Sequence, residues 1–379
     1  MRPTRPMRPI RPAAALLGVA VLALAACTGG GGGGGGANGD AGASPGEGGN
    51  GAATGSPMAG GDGSDIRAAM IIAQGGLGDQ SYNDLANEGL TRAEEDFGIE
   101  AQRIESPDIV SQGEAVLRQA GTAGFDVVID LEFSTAEALT ALAPEFPETQ
   151  WTFMNLPVEG DNVTSFVFAE HEGSYLAGAL AALATSDTSI SGMNEQRVIG
   201  AIGGTKSTGI DKFIVGFMQG AMDVDPEVEV LVSYTNDFGD AAKGRAAAEA
   251  MFEQGADVVY QIAGGAGLGV IQAAADAGVY AIGVDTDQSA IAPEAVLTSM
   301  IKRTDNAVYE SVARAVEGTL GGETVNLDLA AGGVELGTVA EGVPPEHVDQ
   351  VDELRQQIID GEIEVWDVIE QGYPDYFSE

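Results

Sequence analysis

Asp79, Ser81, Tyr82 and Asn83 stand together in GGLGDQSYNDLANEGL (residues 75–90), offering a carboxylate, a hydroxyl, an aromatic face and an amide. Further along, DLEF carries Glu132 and Phe133, NDFGD carries Phe238, and GGAG carries Gly264 and Gly265. Asp285 ends AIGVD and Lys302 ends VLTSMIK. A carboxylate accepts from paired sugar hydroxyls while an ammonium donates to the same oxygens, so Asp285 with Lys302 suits a diol. Tyr82 and Phe238 can stack on a flat ring, each face contributing about 1–3 kcal/mol. Asp79, Glu132, Asp237, Asp240, Asp285 and Asp287 in the same loops repel a phosphate. The expected ligand is neutral, hydroxyl-bearing and partly aromatic. Each residue also admits a structural role: Asp79 and Asp285 as turn formers or helix caps, Tyr82 and Phe238 as core.

Enzyme chemistry is poorly provided for. The run from Gly265 to Gly269 lacks the third glycine of a dinucleotide fingerprint and sits far from the first βα turn, and no phosphate-loop motif is present. The two histidines, His171 and His347, have no metal-ligand spacing and no neighbouring nucleophile motif, and both are expected as exposed helix-end residues. Asp79 and Asp285 could form a glycosidase pair, but nothing in the sequence separates their pKa values. No catalytic residue, cofactor or metal is expected. With 58 acidic against 17 basic residues, nucleic acid and anionic lipid surfaces are excluded as partners.

The elements that must position these residues alternate. Apolar runs at 67–74, 125–132 and 149–156 read as buried strands, with helices over SYNDLANEGLTRAEEDFG, IVSQGEAVLRQAGTAG and STAEALTALAPEF between them. The second half repeats the plan with strands at 198–204, 228–235, 257–264 and 279–286. Strand, helix, strand in series predicts parallel sheets covered on both faces, hence two α/β lobes. GFDVVIDL and GADVVYQI form a faint internal echo of this duplication. Ligands of such sheets sit beyond the carboxyl ends of the strands, where all the residues above fall.

The first 26 residues, with four arginines before a short apolar run, read as a secretory signal peptide. Leu24-Ala25-Ala26-Cys27 resembles a lipoprotein processing site, so Cys27, the single cysteine, is the expected lipidation point. Residues 27–65 then form a Gly-rich tether with nothing to bury. A lipid anchor at the extracytoplasmic face of the cell membrane is the expected location.

GLGDQSYNDLANEGL, FAEHEGSYLAGALAAL, VSYTNDFGDAAKG, GGAGLGVIQAAADAGVYAIGVDTDQ, VLTSMIKR and EGVPPEHVDQVDELRQQIIDGEIEV together resemble the basic membrane protein family of lipoproteins, substrate-binding components of nucleoside-type ABC importers. The resemblance implies a type I periplasmic-binding-protein fold: two doubly wound parallel-sheet lobes joined by three crossovers, near 168–171, 299–303 and 332–336. Lobe 1 would then be 66–168 plus 304–332, and lobe 2 would be 169–303 plus 333–379. It implies that Tyr82 and Phe238 sandwich a nucleoside base, that Asp285 and Lys302 hold the ribose, that Asp79 and Asn83 meet polar edges of the ligand, and that Gly264 and Gly265 let backbone approach it. The implied partners are a nucleoside-like small molecule, purine in the first instance, and an ABC permease complex, with the receptor a monomer. Tyr82 stands where Phe is usual, and DLEF replaces a Gly-containing turn, which leaves base identity open at Glu132. A ligand sensor of the same fold, a receptor for another hydroxylated solute and a surface hydrolase remain alternatives.

Overall fold

In the computed structural model of the chain, residues 63–377 are described. The expected leader, Cys27 and nearly all of the expected tether lie outside them. Strand β1 (Arg67–Ile71), helix α1 (Tyr82–Phe97), β2 (Glu100–Ile104), α2 (Ile109–Ala123), β3 (Val127–Asp130), α3 (Ala136–Leu142), β4 (Gln150–Met154) and β5 (Val163–Phe168) come first. Helix α4 (Glu170–Thr185) leads into β6 (Val198–Gly203), α5 (Thr208–Val224), β7 (Glu229–Tyr234), α6 (Ala241–Phe252), β8 (Ala256–Ile262), α7 (Gly267–Ala277), β9 (Tyr280–Asp285) and β10 (Val296–Lys302). The chain then makes α8 (Thr304–Glu317), β11 (Thr324–Leu327), β12 (Val334–Leu336), α9 (Pro345–Ile359) and α10 (Val368–Gln371).

The strands form two six-stranded sheets, ordered β11-β5-β4-β3-β1-β2 and β12-β10-β9-β8-β6-β7. Every pairing is parallel except that of β12 with β10. The chain passes between the sheets after β5, after β10 and between β11 and β12. Central strands β3, β6, β8 and β9 are buried along their whole length, which explains their continuous apolar runs.

Five of the twelve strands in the described residues are absent from the seven read as strands in the sequence, among them β10, which appears there only as the run ending in Lys302. β2 (EAQRI), β11 and β12 lie at sheet edges, where one side meets solvent and no apolar run is required. β5 is nearly all buried, but it pairs in parallel with β4 after a connection, 155–162, that contains no helix. The strict strand-helix-strand expectation passes over it. The helix expected over STAEALTALAPEF is shorter, with 3₁₀ turns at Phe133–Thr135 and Ala143–Glu145 flanking α3.

Helices α4 and α5 cross at backbone distance. A Cβ on Gly178 would lie 2.0 Å from the Phe217 carbonyl oxygen, one on Gly220 would lie 2.0 Å from that of Tyr175, and one on Gly216 would lie 2.3 Å from that of His171. Glycine at these three places lets the helices touch, and the contact fixes Glu170 at the start of α4 against Lys212 on α5. Gly220→Val should therefore lower stability by about 3 kcal/mol or more in a circular dichroism melt, since overpacking against backbone cannot relax by a rotamer change. Gly209→Ala, where nothing lies within 4 Å of the new methyl, should leave the melt nearly unchanged; equal losses in the two would contradict this account of the crossing.

Candidate ligand-binding site

A cleft with about 930 Å³ of empty space, open mouth included, lies where the carboxyl ends of the two sheets face each other. Of the residues expected at the site, Asp79, Tyr82, Asn83, Glu132, Phe133, Phe238, Gly264, Asp285 and Lys302 line it. Ser81 and Gly265 do not. Ser81 is buried beneath the surface, and Gly265 packs between the Phe238 carbonyl and the backbone of Asp79.

The β1–α1 loop is built by its own side chains. Asp79 accepts from the backbone N–H groups of Ser81 (3.0 Å), Asn83 (2.9 Å) and Asp84 (3.1 Å) and from Asn83 Nδ2 (3.0 Å). Those four bonds fill the acceptor capacity of a carboxylate. Asn83 Oδ1 accepts from Ala73 N (2.9 Å) while its Nδ2 also donates to Gln74 O (3.2 Å). Asp79 thereby caps the first turn of α1 and Asn83 ties that turn to the end of β1, while both border the cleft where the sequence reading expects them to meet polar edges of the ligand. Burial raises the pKa of Asp79, against the lowering effect of the N–H donors.

Glu132 is likewise engaged. Its carboxylate accepts from Gln74 N (3.0 Å), Gln74 Nε2 (3.1 Å) and Ser134 N (3.0 Å), tying the β3 turn to the end of β1. Asp130 beneath it accepts from Glu132 N and from Thr135 Oγ1, and burial pushes its pKa up to about 7.

Tyr82 opens α1 with its hydroxyl donating to Leu131 O (3.2 Å) and accepting from Asn155 Nδ2 (2.9 Å). Asn155 Oδ1 in turn accepts from Lys302 Nζ. The Lys302 ammonium also pairs with Glu170 (3.0 Å) and stands over three rings, 5.0 Å from the centroid of Tyr82, 4.9 Å from Phe168 and 5.6 Å from Phe213. Phe238 lies with its ring on Gly204, where any side chain would collide with it.

Asp285 ends β9 in the left-handed region, φ 68°, which turns its carboxylate toward the cleft. Its Oδ2 accepts from Ser81 Oγ at 2.5 Å, across the two sheets. Gln288 Nε2 donates to Gln80 O (2.9 Å) beside it, and Gly75 packs on the Phe238 carbonyl. These contacts join the two sheets beside the cleft. Burial raises the pKa of Asp285 to about 6, with Lys302 and the Ser81 hydroxyl acting in the opposite direction. Among the described residues no partner engages Asp285 Oδ1.

Gln74, Asn155, Glu170, Lys212, Phe213 and Ile369 also line the cleft and were not anticipated from sequence. Asn155 sits in the helix-free β4–β5 connection, while Glu170 and Lys212 meet only through the α4–α5 crossing. The histidines depart from expectation. They begin helices, but His171 is largely buried 3.8 Å from Asp367, and His347 pairs with Asp187 at 3.2 Å. Burial and the Lys212 charge push the His171 pKa down to about 4, so its ring is neutral at neutral pH.

Residues 66–368 match the Bmp family, described as ABC transporter substrate-binding protein PnrA-like. The chain belongs to this family. A CD4+ T-cell-stimulating antigen of Listeria monocytogenes is 32% identical, covering 79% of this chain and 88% of its own. The ABC transporter nucleoside-binding protein BmpA of Lactococcus lactis is 32% identical over 80% and 89%. Among solved structures, an ABC transporter system solute-binding protein from Aeropyrum pernix K1 superposes with a TM-score of 0.70 at 30% identity, covering 79% of this chain and 92% of that one. Bmp proteins are substrate-binding components of ABC transporters rather than enzymes, and they act outside the cytoplasm with a small-molecule ligand and a permease as partners. Among the described residues no helix is long and apolar enough to cross a membrane.

The raised pKa of Asp285 carries a signed consequence. Between its unfolded value of 3.8 and its folded value of about 6 the folded state holds the extra proton, so this group's contribution to stability falls as pH rises through that window. Asp285→Asn removes the buried charge. The variant should melt higher than the parent at pH 8, by an amount equivalent to about 3 kcal/mol at most, and the advantage should fade toward pH 4. An advantage that grows in acid would contradict the assignment.

Proposed function

We propose that this Bmp protein is a lipid-anchored receptor at the extracytoplasmic face of the membrane that captures a nucleoside, with a purine as the first candidate base, and delivers it to an ABC import permease. The observation that carries the reading is Asp285: a buried carboxylate turned into the cleft by a left-handed backbone, with Oδ1 unengaged among the described residues and Lys302 close enough to lower its pKa. That pair suits ribose hydroxyls, the carboxylate accepting and the ammonium donating. Tyr82 and Phe238 supply ring faces for the base, and Gly264 lets backbone approach it. The nucleoside-binding name of the Lactococcus lactis relative supports the same ligand class. Asp79, Asn83 and Glu132 shape the loops in this reading, and Ser81 joins the lobes through Asp285.

Lipidation falls on Cys27 after removal of residues 1–26, and the tether to 65 leaves the two lobes, 66–168 with 304–332 and 169–303 with 333–379, free to close as a monomer. Differential scanning fluorimetry of residues 66–379 against adenosine, guanosine, inosine, cytidine and uridine tests the ligand class. A nucleoside at 100 times its dissociation constant should add about 2.7 kcal/mol of stability. No shift with any of them at millimolar concentration contradicts the proposal. Asp285→Ala should weaken the best nucleoside at least tenfold, consistent with about 1.5–3 kcal/mol for hydrogen bonds to a charged group. Tyr82→Phe should be mild, since its hydroxyl already bonds Leu131 and Asn155.

A further inference from the structure

The C-terminal segment reaches the cleft. Ile369 on α10 forms part of the wall while remaining 37% exposed on its outer side, and the family match ends one residue before it. The segment is held to α5 from several directions. Trp366 N donates to Gln219 Oε1 (2.8 Å), Gln219 Nε2 donates to Glu364 O (3.1 Å), and the Tyr373 hydroxyl donates to Asp211 Oδ2 (2.7 Å). The Lys206 ammonium lies 5.8 Å from the Tyr373 ring and 5.2 Å from that of Phe377. Lys206 and Asp211 flank residues 207–210, the N-cap and first turn of α5, which line the cleft, so the segment steadies one wall.

Asp367 acts on the charge of that wall. Lys212 is buried and lines the cleft, and three acceptors surround its ammonium: Phe168 O at 2.8 Å, Asp367 Oδ2 at 3.1 Å and Glu170 Oε2 at 3.2 Å. Its hydrogen bond goes to Phe168 O, and its charge is balanced by the two carboxylates as ion pairs, Glu170 Oε2 having no hydrogen-bond partner among the described residues. Glu170 alone could not balance the wall, because its other oxygen is paired with Lys302. Without Asp367, Lys212 would present a charge matched only by the shared Glu170 to the cleft, which is what an anionic ligand needs.

We infer that Asp367 is a selectivity residue: by occupying Lys212 it makes the cleft reject the phosphorylated form of its ligand, while Ile369 closes the wall beside it. The inference rests on the nucleoside reading of the cleft. It adds a rule for which form of the nucleoside is taken, set by a segment outside the strand-end loops.

Isothermal titration calorimetry of residues 66–379 with adenosine, guanosine and inosine and with their 5′-monophosphates tests it. The parent should bind a nucleoside and discriminate strongly against the monophosphate. Asp367→Asn should narrow that ratio by about tenfold or more, tenfold being about 1.4 kcal/mol. Asp367→Glu should restore it, and Lys212→Met combined with Asp367→Asn should again reject the monophosphate. Circular dichroism establishes that each variant folds, with Asp367→Ser as a second route to the same loss of charge. A folded Asp367→Asn or Asp367→Ser protein that binds nucleoside with an unchanged ratio overturns the inference and leaves the nucleoside reading standing. A double variant that still accepts the monophosphate overturns it as well. A parent protein that binds no nucleoside removes the reading and the inference together.

Discussion

Glu170 sits at the first turn of α4, fully buried, with one oxygen 3.0 Å from the Lys302 ammonium and the other 3.2 Å from that of Lys212. A charge in that position is tolerated only when its partners are held at contact distance, because desolvation outweighs a loose ion pair. The fold meets the condition with backbone. Gly178, Gly216 and Gly220 bring α4 against α5, and β10 delivers Lys302 from the opposite side. The pKa of Glu170 is consequently lowered, the two lysines overcoming the effect of burial. The helix crossing and the lining of the cleft are therefore one constraint.

From this centre the arrangement spreads outward by hydrogen bonds. Lys302 holds Asn155, Asn155 holds the Tyr82 hydroxyl, and Tyr82 begins the helix whose cap is Asp79. On the other sheet Asp285 reaches Ser81, so the two halves of the molecule meet through side chains that also border the ligand space. Asp285 thus belongs to a network that spans both lobes and borders the cleft.

The sequence made the strand-end residues legible. Asp285 and Lys302 each end an apolar run, Tyr82 and Phe238 each fall in a Gly-rich loop of an aromatic-poor chain, and those signals are local. At Asp79 and Asn83 it showed residue types that suit a ligand but not the loop-building bonds to neighbours within ten residues that the same side chains make. Glu170, Lys212, Asn155 and Asp367 were not legible at all, because they meet only where α4, α5, the β4–β5 connection and the C-terminal segment converge. Edge strands such as β2 escaped for a related reason, since half-solvated strands need no apolar pattern.

The central claim is that the cleft holds a neutral nucleoside with its ribose on Asp285 and Lys302. A crystal structure of residues 66–379 grown with a purine nucleoside tests it most directly. The account predicts the base between Tyr82 and Phe238 and the ribose hydroxyls within hydrogen-bond distance of Asp285 Oδ1 and Lys302 Nζ. A nucleoside bound with its sugar turned away from Asp285, or density confined to another part of the molecule, would contradict it.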